Sequence, residues 1–184
     1  MDTARRPGRP PTIHRHDVLI AAVTVIDAEG LEALTMRRLG SALGVTAMSL
    51  YRHFDSRDAV LAAVVDFLAA TVEFVPHKKW PETLRSFARG YREMLLNHPR
   101  AVALLATHPI DQQRGRELIA PLLDGFAAAG VDDERAVTIV QSVAVFTLGH
   151  ALAQVGGEPP EPETAPYYDT WFDAGLTALL KGFA

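Results

Sequence analysis

Ala47, Ser49, Tyr51, Arg52 and His53 lie within seven residues of one another. They offer small side chains, hydroxyls, a guanidinium and an imidazole, and from Leu31 to Phe54 the only acid is Glu32. Such groups suit phosphate oxygens and base edges. They do not suit catalysis. The chain has no Gly-x-Gly-x-x-Gly, no Walker loop, no Gly-x-Ser-x-Gly and no carboxylate pair on an identifiable cleft, so no enzyme activity is expected. Cys is absent, which removes disulfides and thiolate chemistry and fits a reducing compartment. Seven His residues invite a metal reading, and His98, His108 and His150 are the ones that would have to converge. No His-x-x-His or His-Glu-x-x-His pair exists, so no metal and no cofactor is expected.

Positioning these groups requires two short helices and a tight turn. Leu39 and Leu43 lie one turn apart, and Gly44 follows as the residue that ends a helix in the left-handed region. Thr46 is placed to cap the next helix, with Leu50 and Phe54 as its apolar face. With Thr35 and Thr46 as caps, Leu34–Leu39 and Val45–Leu50 are two consecutive hydrophobic staples. A short helix held in this way is the form that enters a DNA major groove. A helix from about His16 to Glu29 precedes the pair, with Val18, Leu19, Ala22, Val25 and Ile26 on its apolar face. Another follows from the Ser56 cap to about Val75, where Pro76 stops it. The expected division is a basic arm over 1–11, a helix-turn-helix unit over 12–75 with its linking helix, and a second domain over 80–184. The arm is Arg-, Pro- and Gly-rich and reads as disordered. It is either a reach toward phosphates or the minor groove, or a solvated tail.

The net charge of -4 argues against nucleic acid until its distribution is seen. Residues 1–60 carry eight Arg and seven acids, a net of +1, and residues 61–184 carry ten Lys or Arg and fifteen acids, a net of -5. A basic end on an acidic body suits a nucleic-acid binder. An apolar content of 48% supports a folded core. No uninterrupted apolar run approaches the ~18 residues that span a bilayer. Val18–Ile26, bracketed by Asp17, Asp27 and Glu29, reads as a core face and not as an export signal. The expectation is a cytoplasmic protein, nucleoid-associated when on DNA, without a membrane partner.

The second half is helical throughout, and the predicted class is all-α. Helices are expected over Trp80–Asn97, in a short piece after Pro99, over Gln113–Ala129, over about Glu134–Val155 and over Tyr167–Phe183, with an acidic loop at Gly156–Pro166. The helix over 134–155 would be on the order of 33 Å long. It and the last helix are apolar on more than one face, which predicts a homodimer seam through 134–155 and 167–183. A central core helix in a monomer is the other solution.

The segment EGLEALTMRRLGSALGVTAMSLYRHFDSRDAVL, within residues 12–75, resembles the DNA-binding domain of TetR-type bacterial repressors. VFTLGHALAQ and the ending LLKGFA resemble the effector domain of the tetracycline-repressor subclass. The resemblance implies a dimeric regulator on double-stranded DNA, released from a palindromic operator by a small-molecule effector; an activator of the same architecture is the alternative, and a helical enzyme a remote one. It implies that Thr35 and Arg37 contact phosphate, that Thr46, Ala47, Met48 and Ser49 face bases or flanking phosphates, that Tyr51 and His53 clamp the backbone, and that Arg57 holds an adjacent phosphate. In the second half it implies a pocket, with Phe87, Tyr91, His98, Leu105, His108, Ile119, Leu122, Val140, Ala144 and Thr147 as candidate lining. Tetracycline repressors hold a metal-chelated drug partly through a His late in their fourth helix. Here no His occurs between His53 and His77, and Glu73 stands near that place. The lining is expected to suit a flat or greasy molecule better than a Mg²⁺ chelate.

Overall fold

The computed structural model of the chain describes residues 13–108, 110–156 and 165–183. All regular structure among these is helical: α1 Arg15–Glu29, α2 Met36–Leu43, α3 Ala47–Leu50, α4 Arg57–Ala69, α5 Trp80–Asn97, α6 Val102–Thr107, α7 Gln112–Ala128, α8 Asp133–Val155 and α9 Ala165–Phe183. Short 3-10 turns at Leu31–Ala33 and Pro99–Ala101 join α1 to α2 and α5 to α6. The basic arm and the acidic loop between α8 and α9 lie outside the described residues, apart from Gly156 at the end of α8.

The first three helices form where the apolar spacing places them, and α2 also where its Thr35 cap places it. The His14 N–H donates to the Asp17 carboxylate at 2.9 Å at the start of α1. The buried side chains Val18, Ala22, Val25 and Ile26 face α2 and α4. Leu34 and Leu39 of the first staple are both buried. In the second, Leu50 is buried while Val45 is only half-buried.

The fourth helix departs from expectation. It starts as predicted, with Ser56 Oγ accepting from Ala59 N at 3.0 Å, but it ends at Ala69 instead of near Val75. The Thr71 hydroxyl donates to Leu68 O at 2.7 Å, offering the last turn a local partner in place of continued helix. Pro76 then forces the preceding residue toward extended backbone. The stretch after Ala70 is bound to α5 instead: Val75 N–H donates to Ser86 Oγ and His77 N–H to Thr83 Oγ1, both at 2.8 Å. It passes so close to α5 that a Cβ at Gly90 would meet Glu73 O at 1.9 Å, so only glycine fits there.

Helices α5 to α9 pack around α8. Its buried face, which includes Ile139, Val140, Val143 and Thr147, is flanked by α5, α6, α7 and α9. By length and composition α8 alone, among the described residues, could cross a membrane, with a mean hydropathy of 1.6. Ile139, Val140, Val143 and Ala151 on it are buried against neighbouring helices, while Val145 and Leu152 stay exposed. Trp80 stacks on Phe126 at 4.6 Å, tying the start of α5 to the end of α7. Gly175 lets α9 close on α8, because a Cβ there would meet Phe146 Cζ at 2.7 Å. The two halves of the chain meet where α5 ends. His98 Nδ1 lies 2.8 Å from Asp27 Oδ2, and Arg100 donates to the Asp27 and Ala28 carbonyls at the end of α1.

Candidate DNA interface and effector cavity

The turn between α2 and α3 is held from inside. Gly44 adopts φ 68°, ψ 29°, the left-handed conformation that favours glycine. Val45 N–H then donates to Gly40 O at 2.9 Å. A Cβ at Gly40 would meet Val45 O at 2.9 Å and Ala47 N at 3.2 Å, so the absence of a side chain lets the two helices touch through backbone. Sequence reading passed over Gly40; its place one turn before the Gly44 turn was the available signal. Thr35 Oγ1 accepts from Arg38 N at 3.0 Å and caps α2. Thr46 stands at the N-cap of α3, but its hydroxyl lies 3.1 Å from Ser49 Oγ and makes no cap bond to backbone. Two hydroxyls three residues apart satisfy one another in place of the expected cap.

On the outer surface Thr35, Arg37, Thr46 and Tyr51 are exposed, and Met48 is 72% exposed, an apolar side chain left in water. Ala47, Ser49 and His53 are half-buried beside them. These eight positions lie at the start of α2, along α3 and just after it. Arg57 is different. Its Nε donates to Leu34 O at 2.6 Å and its Nη2 to Leu31 O at 3.0 Å, so it braces the turn between α1 and α2 from within. Arg38 turns toward α1, with Nε 3.0 Å from Glu29 Oε1, an exposed pair that lowers the Glu29 pKa and raises that of Arg38. Arg15 is a support not anticipated from sequence. It donates to His53 O at 2.7 Å and its guanidinium sits 3.9 Å over the Phe54 ring, steadying the end of α3.

A cavity of about 400 Å³ opens between α5, α7, α8 and the end of α4. Of the candidate residues, Phe87, Tyr91, Ile119, Val140 and Ala144 line it. The other five lie elsewhere. His98 is engaged with Asp27, and His108 lies beside Thr107 Oγ1 at 3.2 Å. Leu105 and Leu122 are packed in the core, and Thr147, fully buried, donates back to Val143 O at 2.8 Å. Helical spacing marks which residues turn inward, but not which inward residues meet a void and which meet a neighbour. Ala69, Val72, Ile110, Leu118 and Val137 complete the apolar wall, and Asp111, Gln112, Arg116 and Gln141 supply its polar edge. Ile110–Gln112 were missed because they sit in the connection before α7 and its first residue, where no periodicity applies. Asp111 also caps α7, accepting from Arg114 N at 3.0 Å. Glu73 does not line this cavity. Among the described residues, no group of three or more His, Asp or Glu is placed to hold a metal ion.

Residues 18–64 match the bacterial regulatory proteins of the tetR family, and residues 75–167 match the tetracyclin repressor-like C-terminal domain. The tetracycline repressor protein class E of Escherichia coli is 31% identical over 190 residues, covering 91% of this chain and 89% of that protein. Among solved structures, the Streptomyces coelicolor TetR family protein ActR in complex with (S)-DNPA is similar with a TM-score of 0.76 at 26% identity, over 93% of this chain and 96% of that one. BioQ with its natural double-stranded DNA operator is similar with a TM-score of 0.74 at 27% identity, over 94% and 99%. The chain therefore belongs to the TetR family of bacterial regulators. It is a ligand-responsive, DNA-binding transcriptional regulator, in a family of regulators and not of enzymes.

Proposed function

We propose that the protein is a homodimeric repressor that leaves a palindromic operator when a small, largely apolar or aromatic molecule enters the cavity beside α5, α7 and α8. The reader is the unit over 12–75, and the effector and dimer domain is the unit over 80–184. The observation that carries the DNA assignment is the acid-free stretch of α2 and α3, where Thr35, Arg37, Thr46, Met48 and Tyr51 are exposed and Ala47, Ser49 and His53 half-buried. Hydroxyls and cations there would hold phosphates, while Ala47 and Met48 offer only apolar contact to bases. Arg57 acts on DNA indirectly, by holding the turn that presents Thr35. The repressor sign is supported by the class E repressor, and operator and small-molecule binding by the BioQ and ActR complexes. The dimer is supported by exposed Val145 and Leu152 on α8 and Tyr167 and Trp171 on α9. Two readers related by a two-fold axis would enter successive major grooves about 34–36 Å apart. The protein would act where the DNA is, in the cytoplasm.

Release follows if the effector binds the DNA-incompetent arrangement more tightly. The cavity touches Ala69 and Val72 at and beyond the end of α4, so an occupant bears directly on the segment joining reader to effector unit. Selection from a random duplex pool, followed by binding titrations, tests the assignment. Wild-type protein should select a two-fold-symmetric sequence, and Tyr51→Ala should weaken binding to it at least about tenfold, the loss of a phosphate-positioning contact. Binding without sequence preference, or an unchanged affinity of Tyr51→Ala, would overturn it.

A further inference from the structure

The polar residues of the cavity are unevenly placed. Asp111, Gln112, Arg116 and Gln141 are all exposed and mark its rim. Two of them already have partners, since Asp111 caps α7 and Arg116 Nη2 lies 2.8 Å from Asp133 Oδ2. The wall behind them is apolar except at Tyr91. Tyr91 lines the cavity and is 9% exposed, with its ring 6.0 Å from that of Phe87 and 13° from parallel to it. No hydrogen bond to its hydroxyl is found among the described residues. Burial alone pushes the phenol up to about 12, so it keeps its proton at physiological pH and can act only as a neutral donor or acceptor. The hydroxyl is not sealed from solvent, so an occupant that displaces water from it must supply the hydrogen bond itself. The apolar wall disfavours a charged occupant, because the charge would lose its water without gaining a partner. The paired rings of Phe87 and Tyr91 favour a flat one.

We propose that this cavity selects a flat, uncharged ring system that carries a carbonyl or an equivalent hydrogen-bond acceptor, received by the Tyr91 hydroxyl, and that Tyr91 sets this preference. The proposal rests on the reading of the cavity as the effector site. A ligand of the right shape without the acceptor would fill the same space but leave the hydroxyl unpaired. The resulting discrimination comes from the cost of the unpaired donor and not from the extra atom itself.

Fluorenone and fluorene are a matched pair of probes, sharing one flat tricyclic frame and differing at the carbonyl. Their affinities for the full chain, measured by calorimetry, give a ratio that contains their different solubility in water. Comparing that ratio between wild type and Tyr91→Phe removes the solubility part. The fluorenone preference should be about tenfold larger in wild type than in Tyr91→Phe, the loss of one hydrogen bond to a buried donor. An equal ratio in the two proteins would overturn the proposal, as would binding of neither probe. A second readout needs no variant: the carbonyl stretch of bound fluorenone should lie at lower frequency than in an apolar solvent, and an unshifted band would count against the bond. Ala144→Trp fills the cavity and separates the two readings. If fluorenone binds Ala144→Trp as well as wild type, the cavity is not the site and the effector reading fails. If Ala144→Trp abolishes binding while the two ratios agree, the cavity stands and the role of Tyr91 fails.

Discussion

His150 shows how a single buried residue can govern pH behaviour. It is 4% exposed, neither ring nitrogen has a hydrogen-bond partner within normal distance among the described residues, and it lies among Trp171 at 4.6 Å, Phe172 at 5.2 Å and Phe146 at 6.2 Å. Burial, and then the nearby Arg92 cation, hold its pKa below the ordinary histidine range. The folded state therefore keeps it neutral, while the unfolded chain takes up a proton near pH 6.5. Its contribution to stability is complete above about pH 6.5 and is lost as pH falls through the depressed folded value. Thermal melts from pH 8 to pH 5 should show this loss in wild type and a smaller one in His150→Phe. Parallel profiles for the two proteins would refute the assignment. Arg57 gives the complementary lesson. The family resemblance implied a phosphate contact for it, yet its guanidinium reaches backbone carbonyls of the preceding turn. Sequence shows that a cation is present, but the group it faces depends on how α4 is set against the α1–α2 connection.

At the scale of elements, the reader depends on how closely α2 and α3 approach. Gly40 sits where a Cβ would press on Val45 O and Ala47 N, both backbone atoms with little freedom to move. Gly40→Ala should destabilise the fold by about 1–3 kcal/mol, the usual result of overpacking, despite the better helix propensity of alanine. Urea unfolding would measure it, and weaker operator binding should accompany it because α3 would be displaced. An unchanged midpoint would mean that the turn relaxes freely. The stretch from Ala70 to Lys79 is the other element on which the assembly turns. It is pinned to α5 by Ser86 and Thr83 and passes over Gly90, so the reader and cavity units are coupled through hydrogen-bonded extended chain, part of which, as far as Val75, was expected to be helix. The brace of His98 and Arg100 on the end of α1 forms a second link.

For the whole molecule, the open question of partners is set by surface. Val145 is 69% exposed, Tyr167 65% and Trp171 45%, a concentration of large apolar groups on α8 and α9 beside the His150 cluster. Such a patch is expected to be covered by another protein surface, and two-fold pairing of the same helices would cover it from both sides. Trp171→Glu should convert a dimer into a monomer at micromolar concentration, read by light scattering, with operator affinity falling as the second half-site contact is lost. A wild-type protein that is monomeric at that concentration would sink the dimer itself. A Trp171→Glu protein that stays dimeric would place the seam elsewhere.

The order and type of every long helix were legible in the sequence. Helical periodicity, the glycine after Leu43 and the caps at Thr35 and Ser56 are local signals, and local backbone energetics decide such features. The family was legible for the same reason, since a helix-turn-helix is a local motif with fixed spacing. Tertiary structure decided what depends on distant residues meeting. It ended α4 at Ala69, because the following chain finds partners on α5. It turned Arg57 inward, and it sorted ten candidate pocket residues into five that meet a void and five that meet other groups. It also left Tyr91 with its hydroxyl on an apolar wall, a circumstance that no spacing along the chain reveals. Periodicity reports the face a side chain occupies; only packing reports what stands opposite.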